Sequence, residues 1–165
     1  VLAHAMERVT GTRLADLVSA ELWSKLGAEH DACFTVDSAG YALADAGFNA
    51  TLRAFARFGQ LHLQGGLRDG DQIIPADWVA DIRGGDHGLF NDAGRLTFPN
   101  GRYRNQFWVE DADRDTVMCI GVFGQLIYIA PRYDMVAVKL STWPDFVDLE
   151  HKSNTLRALH ALAAT

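Results

Sequence analysis

TVMCIGVFGQLIYIAPRYDMVAVKLST, residues 116–142, holds three apolar runs separated by two different kinds of break. The first break, Gly121-Val122-Phe123-Gly124, is a bend bracketed by glycines. The second, Ala130-Pro131-Arg132-Tyr133-Asp134, has the Pro and Asp of a turn. Short runs rich in Val, Ile and Tyr between such breaks read as strands, so the stretch is a three-stranded meander. A helix over about Lys152–Ala164 follows it. Upstream, Tyr103–Glu110 reads as one more strand, joined to the meander by the acidic turn Asp111–Asp115.

Further from the meander the pattern turns helical. Leu2, Met6 and Val9 share one helical face, with Gly11 as the stop. Thr12 is placed to cap a second helix, Arg13–Leu26, which Gly27 ends. The segment 28–49 mixes short extended pieces, among them Cys33–Val36, with turns. Thr51 opens a clear helix whose apolar face is Leu52, Phe55, Phe58, Leu61 and Leu63. An Asp69-Gly70-Asp71 turn, a short strand Gln72–Ile74 and a Pro75-led helix Ala76–Ile82 come next. Gly84–Gly101 is expected as a long irregular loop, a kind of segment that often lines sites. Helices flanking an antiparallel sheet make an α+β chain.

Composition narrows the function. A formal net charge of −6 argues against a nucleic-acid partner, which needs clustered Lys and Arg. No apolar run reaches the ~18 residues of a membrane helix. Two cysteines, Cys33 and Cys119, make no disulfide framework or metal-spaced pair, and both are expected as buried thiols. The first residue is Val1 and the opening is already helical, so the chain is expected to be processed or part of something longer.

The chemistry-bearing motifs are mostly missing. None of the five serines, Ser19, Ser24, Ser38, Ser141 and Ser153, has a Lys one helical turn later, and no Gly-x-Ser-x-Gly elbow occurs. Tyr103-x-Asn105 has the spacing of a proton-shuttle motif but falls on a strand, where an aromatic with a capping Asn is the simpler account. Asp111–Asp115 resembles the start of a calcium loop, yet its Gly and Glu positions hold Thr116 and Val122. His4, His62 and His160 fall in helical patterns, expected at the surface or its boundary. His87, in the long loop, is the one histidine placed to belong to a site. A metal site built from it with Asp86 and Asp92 is disfavoured, and neither metal nor cofactor is expected.

Several stretches together resemble the serine β-lactamase-like, penicillin-recognising family, with its carboxylesterase and 6-aminohexanoate-dimer hydrolase branch nearest in pattern. They are VLAHAMERVTGTRLADLVSAELWSKLGAEHDACFTVD, AGFNATLRAFARFGQLHLQGGLRDGDQIIPADWV with its Gly47-x-x-x-Thr51 helix start, YRNQFWV, and GVFGQLIYIAPRYDMVAVKLS. The resemblance implies the C-terminal part of the β-lactamase/transpeptidase-like fold, as a single partial domain over residues 1–165. It aligns the family's Lys-Thr-Gly strand with Cys119-Ile120-Gly121, where only the glycine matches. The Val122 N–H would then be an oxyanion donor, with Cys119, Ile120, Gly121, Phe123, Gln125 and His87 as substrate-binding residues. Loss of that Lys disfavours β-lactamase activity and favours ester or linear-amide hydrolysis through an acyl-enzyme.

The family's Ser-x-x-Lys and Tyr motifs fall N-terminal to Val1, so the nucleophile is expected from a missing N-terminal part. The expected partners are a small ester or amide substrate and either that part or another copy of the chain. The alternative is a truncated, non-catalytic relative that oligomerises through an exposed sheet edge. Exposed apolar surface is expected where the missing part would pack.

Overall fold

The computed structural model describes residues 1–84 and 92–164, which divide into two compact units, Val1–Arg57 and Phe58–Thr165. In the first, α1 (Leu2–Thr10) ends at Gly11, whose left-handed φ of 68° is one a glycine takes without strain. α2 (Leu14–Val18), a π-helical turn (Ser19–Trp23) and α3 (Ser24–Leu26) then form one continuous rod. Thr12 does not cap it. Arg13 holds the N-cap position without a side-chain bond, and Glu7 of α1 accepts from the Leu14 N–H at 2.9 Å instead. A carboxylate reaching across from the neighbouring helix satisfies the orphan donor that Thr12 was expected to take.

β1 (Cys33–Phe34) pairs antiparallel with β2 (Phe48–Asn49), and Trp23, Phe34 and Phe55 gather around the Phe48 ring. α4 (Leu52–Leu63) begins where Thr51 Oγ1 accepts from the Ala54 N–H at 3.2 Å. Cys33 is exposed, so the expectation of two buried thiols fails for it: a two-residue strand in a small unit has no deep interior to offer.

The second unit is built on a five-stranded antiparallel sheet, β5 (Arg102–Arg104), β6 (Phe107–Asp111), β7 (Thr116–Ile120), β8 (Leu126–Ala130) and β9 (Met135–Lys139), in that spatial order. The meander of residues 116–142 is therefore β7–β8–β9, with a 3₁₀ turn at each break. Alternation along each strand separates two cores. Phe107, Val109, Val117 and Ile129 face one side, with Phe58 and Leu63 of α4 and Ile82 of α5 (Ala76–Gly84) against them. Met118, Leu126, Tyr128 and Ala130 face the other, under Leu156 and Leu159 of α7 (Leu149–Ala163) and Phe98. Asp148 caps α7 by accepting from the His151 N–H at 2.9 Å, which starts that helix three residues before the expected Lys152. Glu110 ties α7 to the sheet: its carboxylate accepts from the buried Tyr128 hydroxyl at 3.0 Å and meets His160 Nε2 at 2.7 Å.

Three expectations are corrected here. The single strand Tyr103–Glu110 is a tight hairpin, turning on Asn105 and Gln106 with φ of 48° and 67°. The short strand at Gln72–Ile74 lies instead at β4 (Asp71–Gln72), paired with β3 (Leu67–Arg68). The irregular loop Gly84–Gly101 contains a helix, α6 (Asp92–Thr97). Among the described residues no helix is long and apolar enough to cross a membrane.

Candidate active site

The glycine-bracketed bend between β7 and β8 collects most of the residues singled out from the sequence. Gly121 is extended (φ −105°, ψ 165°), and its N–H donates to Gln125 O at 2.9 Å, closing the bend across its mouth. Phe123 takes a left-handed φ of 56°, which for a side chain with a Cβ costs about 1–2 kcal/mol. Strain of this kind persists only where surrounding bonds over-determine it. Here they do. Phe123 N–H donates to Phe146 O at 3.0 Å, and Trp143 N–H donates to Phe123 O at 3.2 Å. The amide between those of Gly121 and Phe123, the Val122 N–H, has no acceptor among the described residues. Val122 is 50% exposed and Phe123 43%. Phe146, Val147 and Leu149 are exposed as well, so the bend is flanked by accessible apolar side chains.

Behind the bend, the chain leaving β9 presents Lys139, Ser141 and Trp143 at alternate positions, the spacing of one strand face. Ser141 Oγ lies 3.0 Å from Phe123 O and 2.9 Å from Gly124 O, close enough to donate to either, and it accepts from Lys139 Nζ at 2.5 Å. Lys139 Nζ also donates to Gly124 O at 3.3 Å and sits 4.5 Å from the centre of the Trp143 ring. Burial lowers the pKa of the Lys139 ammonium from its ordinary value. Gln125 reaches across as a false rung of the sheet. Its Nε2 donates to Ser141 O at 2.5 Å, and its Oε1 accepts from Ser141 N–H at 3.0 Å. A Cβ on Gly124 would run into the Trp143 ring and Ser141 Oγ, so only glycine fits there.

The other residues named from the sequence are placed as follows. Cys119 packs on the core face shared with Phe107 and Ile129, where burial pushes its thiol up to about 12. Ile120 packs on the opposite core, beside Met118 and Leu126. Gly121, Val122 and Phe123 are exposed at the bend, and the Gln125 amide is bonded to Ser141. Asp86 and His87 lie outside the described residues, and of Asp92 only the backbone is described. Sequence reasoning missed Lys139, Trp143 and Phe146 as parts of this region and tested Ser141 only as a nucleophile. The Lys-x-Ser-x-Trp alternation that continues β9 past its last rung was the signal that could have found Lys139, Ser141 and Trp143.

His62 is buried at 4% exposure, not at the surface or boundary as expected. Its ring packs between Phe58 and Phe107, and its Nδ1 lies 3.0 Å from Phe58 O. Desolvation lowers its pKa from 6.5, with Arg83 adding to the shift and the Phe58 carbonyl opposing it. Of the other two histidines expected in helices from the sequence, His4 is exposed and His160 sits at the Glu110 contact.

A strained, glycine-bracketed bend at the end of a central antiparallel strand, walled by a terminal helix, fits the class of serine acyl-transfer folds suggested by the sequence. The β-lactamase family model matches residues 1–162, and the chain belongs to that family. It is 42% identical over 147 residues to the 6-aminohexanoate-dimer hydrolase of Paenarthrobacter ureafaciens, a match covering 88% of this chain and 38% of that protein. A Bacillus anthracis structure assigned as a 6-aminohexanoate-dimer hydrolase superposes with a TM-score of 0.85 at 32% identity, over 98% of this chain and 41% of that one. The chain thus spans about two fifths of the length of these relatives.

Proposed function

We propose that this chain is the C-terminal portion of a serine hydrolase that cleaves esters or linear amides through an acyl-enzyme. The nucleophilic Ser and its Lys come from the part of the full-length protein that precedes Val1. The observation that carries the proposal is the Val122 N–H: a backbone donor with no acceptor among the described residues, at an exposed and tightly braced bend. Such a donor, fixed before the substrate arrives, stabilises the oxyanion of a tetrahedral intermediate without reorganising. The nucleophile's own amide supplies the second donor. Phe123 and the exposed apolar side chains beside the bend form a wall for the acyl or leaving group. The strand position where the family carries Lys holds Cys119, a neutral thiol at physiological pH, so nothing there grips a β-lactam carboxylate.

Likeness to two proteins named as 6-aminohexanoate-dimer hydrolases makes short linear amides the first substrates to try. The full-length protein should hydrolyse p-nitrophenyl esters and the 6-aminohexanoate dimer, and a fluorophosphonate should label one serine outside residues 1–165. Ester hydrolysis by the isolated chain that survives replacement of all five of its serines by Ala would overturn the proposal.

A further inference from the structure

The geometry points to Gln125, Lys139 and Ser141 as positioning residues that hold the Val122 N–H in its donating orientation, an inference that rests on the proposed oxyanion role of that amide. A lone backbone amide can serve an oxyanion only if its peptide plane cannot rotate away. In this bend the plane is fixed from both sides. On one side Gly121 N–H is tied to Gln125 O, and the Gln125 side chain is itself held by both backbone groups of Ser141. On the other, the Phe123 and Gly124 carbonyls are drawn toward Ser141 Oγ, and Lys139 Nζ holds that hydroxyl while also donating to Gly124 O. None of the three side chains needs to touch substrate. Ser141 is a hydroxyl on the sheet that acts on chemistry by shaping a neighbouring strand, which is why it carries no nucleophile motif. The left-handed φ at Phe123 is what the bend reverts from when these bonds go, because an ordinary negative φ there swings the preceding amide to a new direction.

Displacing a catalytic group by about 1 Å can cost up to roughly a hundredfold in rate, so a loosened bend should cost about tenfold. The experiment uses the full-length enzyme with Ser141→Ala, Ser141→Thr and Lys139→Met. Three quantities are measured: steady-state ester hydrolysis, affinity for a boronic acid that mimics the tetrahedral intermediate, and amide hydrogen exchange across residues 121–125. Ser141→Ala should lower kcat about tenfold, weaken the boronate by the same factor and leave KM within about twofold. Exchange at the Phe123 N–H should quicken in parallel. Ser141→Thr, which keeps the hydroxyl, should restore most of kcat. A merely structural role would shift the melting temperature without this split between kcat and KM. Should Ser141→Ala not fold, Lys139→Met carries the same test. Unchanged kcat and boronate affinity in an enzyme that Val122→Pro inactivates would overturn the positioning role while leaving the oxyanion assignment standing. A full-length wild-type protein that turns over neither ester nor amide would remove both.

Discussion

Replacing Val122 by proline removes one hydrogen atom that matters and little else. The Val122 N–H has no acceptor among the described residues, so the substitution breaks no bond of the resting fold. Proline restricts the residue before it to extended backbone, and Gly121 is already there with ψ at 165°. The lost side chain is 50% exposed, so its burial contributes little. Stability of the full-length protein should therefore change by less than about 1 kcal/mol. Catalysis should not be spared. One oxyanion donor is worth about 3 kcal/mol, or about 150-fold in kcat. Initial rates with a p-nitrophenyl ester, run alongside a thermal melt, read both quantities. KM should move by less than about threefold, because the ground-state carbonyl carries little of the charge that the donor answers. A kcat within about fivefold of wild type, at unchanged melting temperature, would refute the assignment of the oxyanion to this amide.

Other expectations are simpler to check. His62 has a folded pKa below 6.5, so the unfolded chain binds a proton more readily; stability is complete above about 6.5 and falls as pH drops from there toward the folded value. His62→Phe should flatten the melting temperature between pH 7 and 5, and a slope unchanged by the substitution would exclude His62 as its source. Gly59→Ala places a Cβ 2.6 Å from Val136 Cγ1 and 3.2 Å from Ile127 Cγ2. Despite alanine's better helix propensity it should destabilise by about 1–3 kcal/mol, and Val136→Ala in the same chain should recover part of the loss. With a thiol reagent at pH 7.5, Cys33 should react readily and Cys119 only on unfolding, since the Cys119 thiol is pushed up to about 12.

The meander was legible because two local signals agreed: a short apolar run rich in Ile and Tyr at Leu126–Ala130 and turn chemistry at Pro131–Asp134. The Gly121–Gly124 bend was legible because glycines bracket it, and Gly124, at a φ of 85°, marks backbone that few other residues adopt. The Asn105-Gln106 turn was not. Neither residue is glycine, and the turn is tied down by a tertiary bond that no local window shows: Asn105, with a φ of 48°, donates through Nδ2 to Asp81 Oδ2 at 2.6 Å. A sequence window sees the aromatic strand residues on both sides and joins them. His62 was misjudged because its burial depends on Phe107, 45 positions later, and not on the helix it belongs to. The bracing of the bend escaped for the same reason. Gln125 meets Ser141 only once β8 and β9 have paired with Leu126 opposite Lys139.

The shared carboxylate of Glu110 bears on how the protein can be handled. It lies on β6 with only 11% of its side chain exposed, bonded to a buried phenol on one side and to an imidazole near the end of α7 on the other. Shortening the chain ahead of His160 would strip that carboxylate of its imidazole partner and leave Leu159 as the last apolar anchor of the helix, inviting the terminus to peel from the sheet and bare Met118 and Tyr128. Affinity tags, fluorescent fusions and crystallisation truncations at this end are therefore best attached beyond residue 164, where the final turn is already complete.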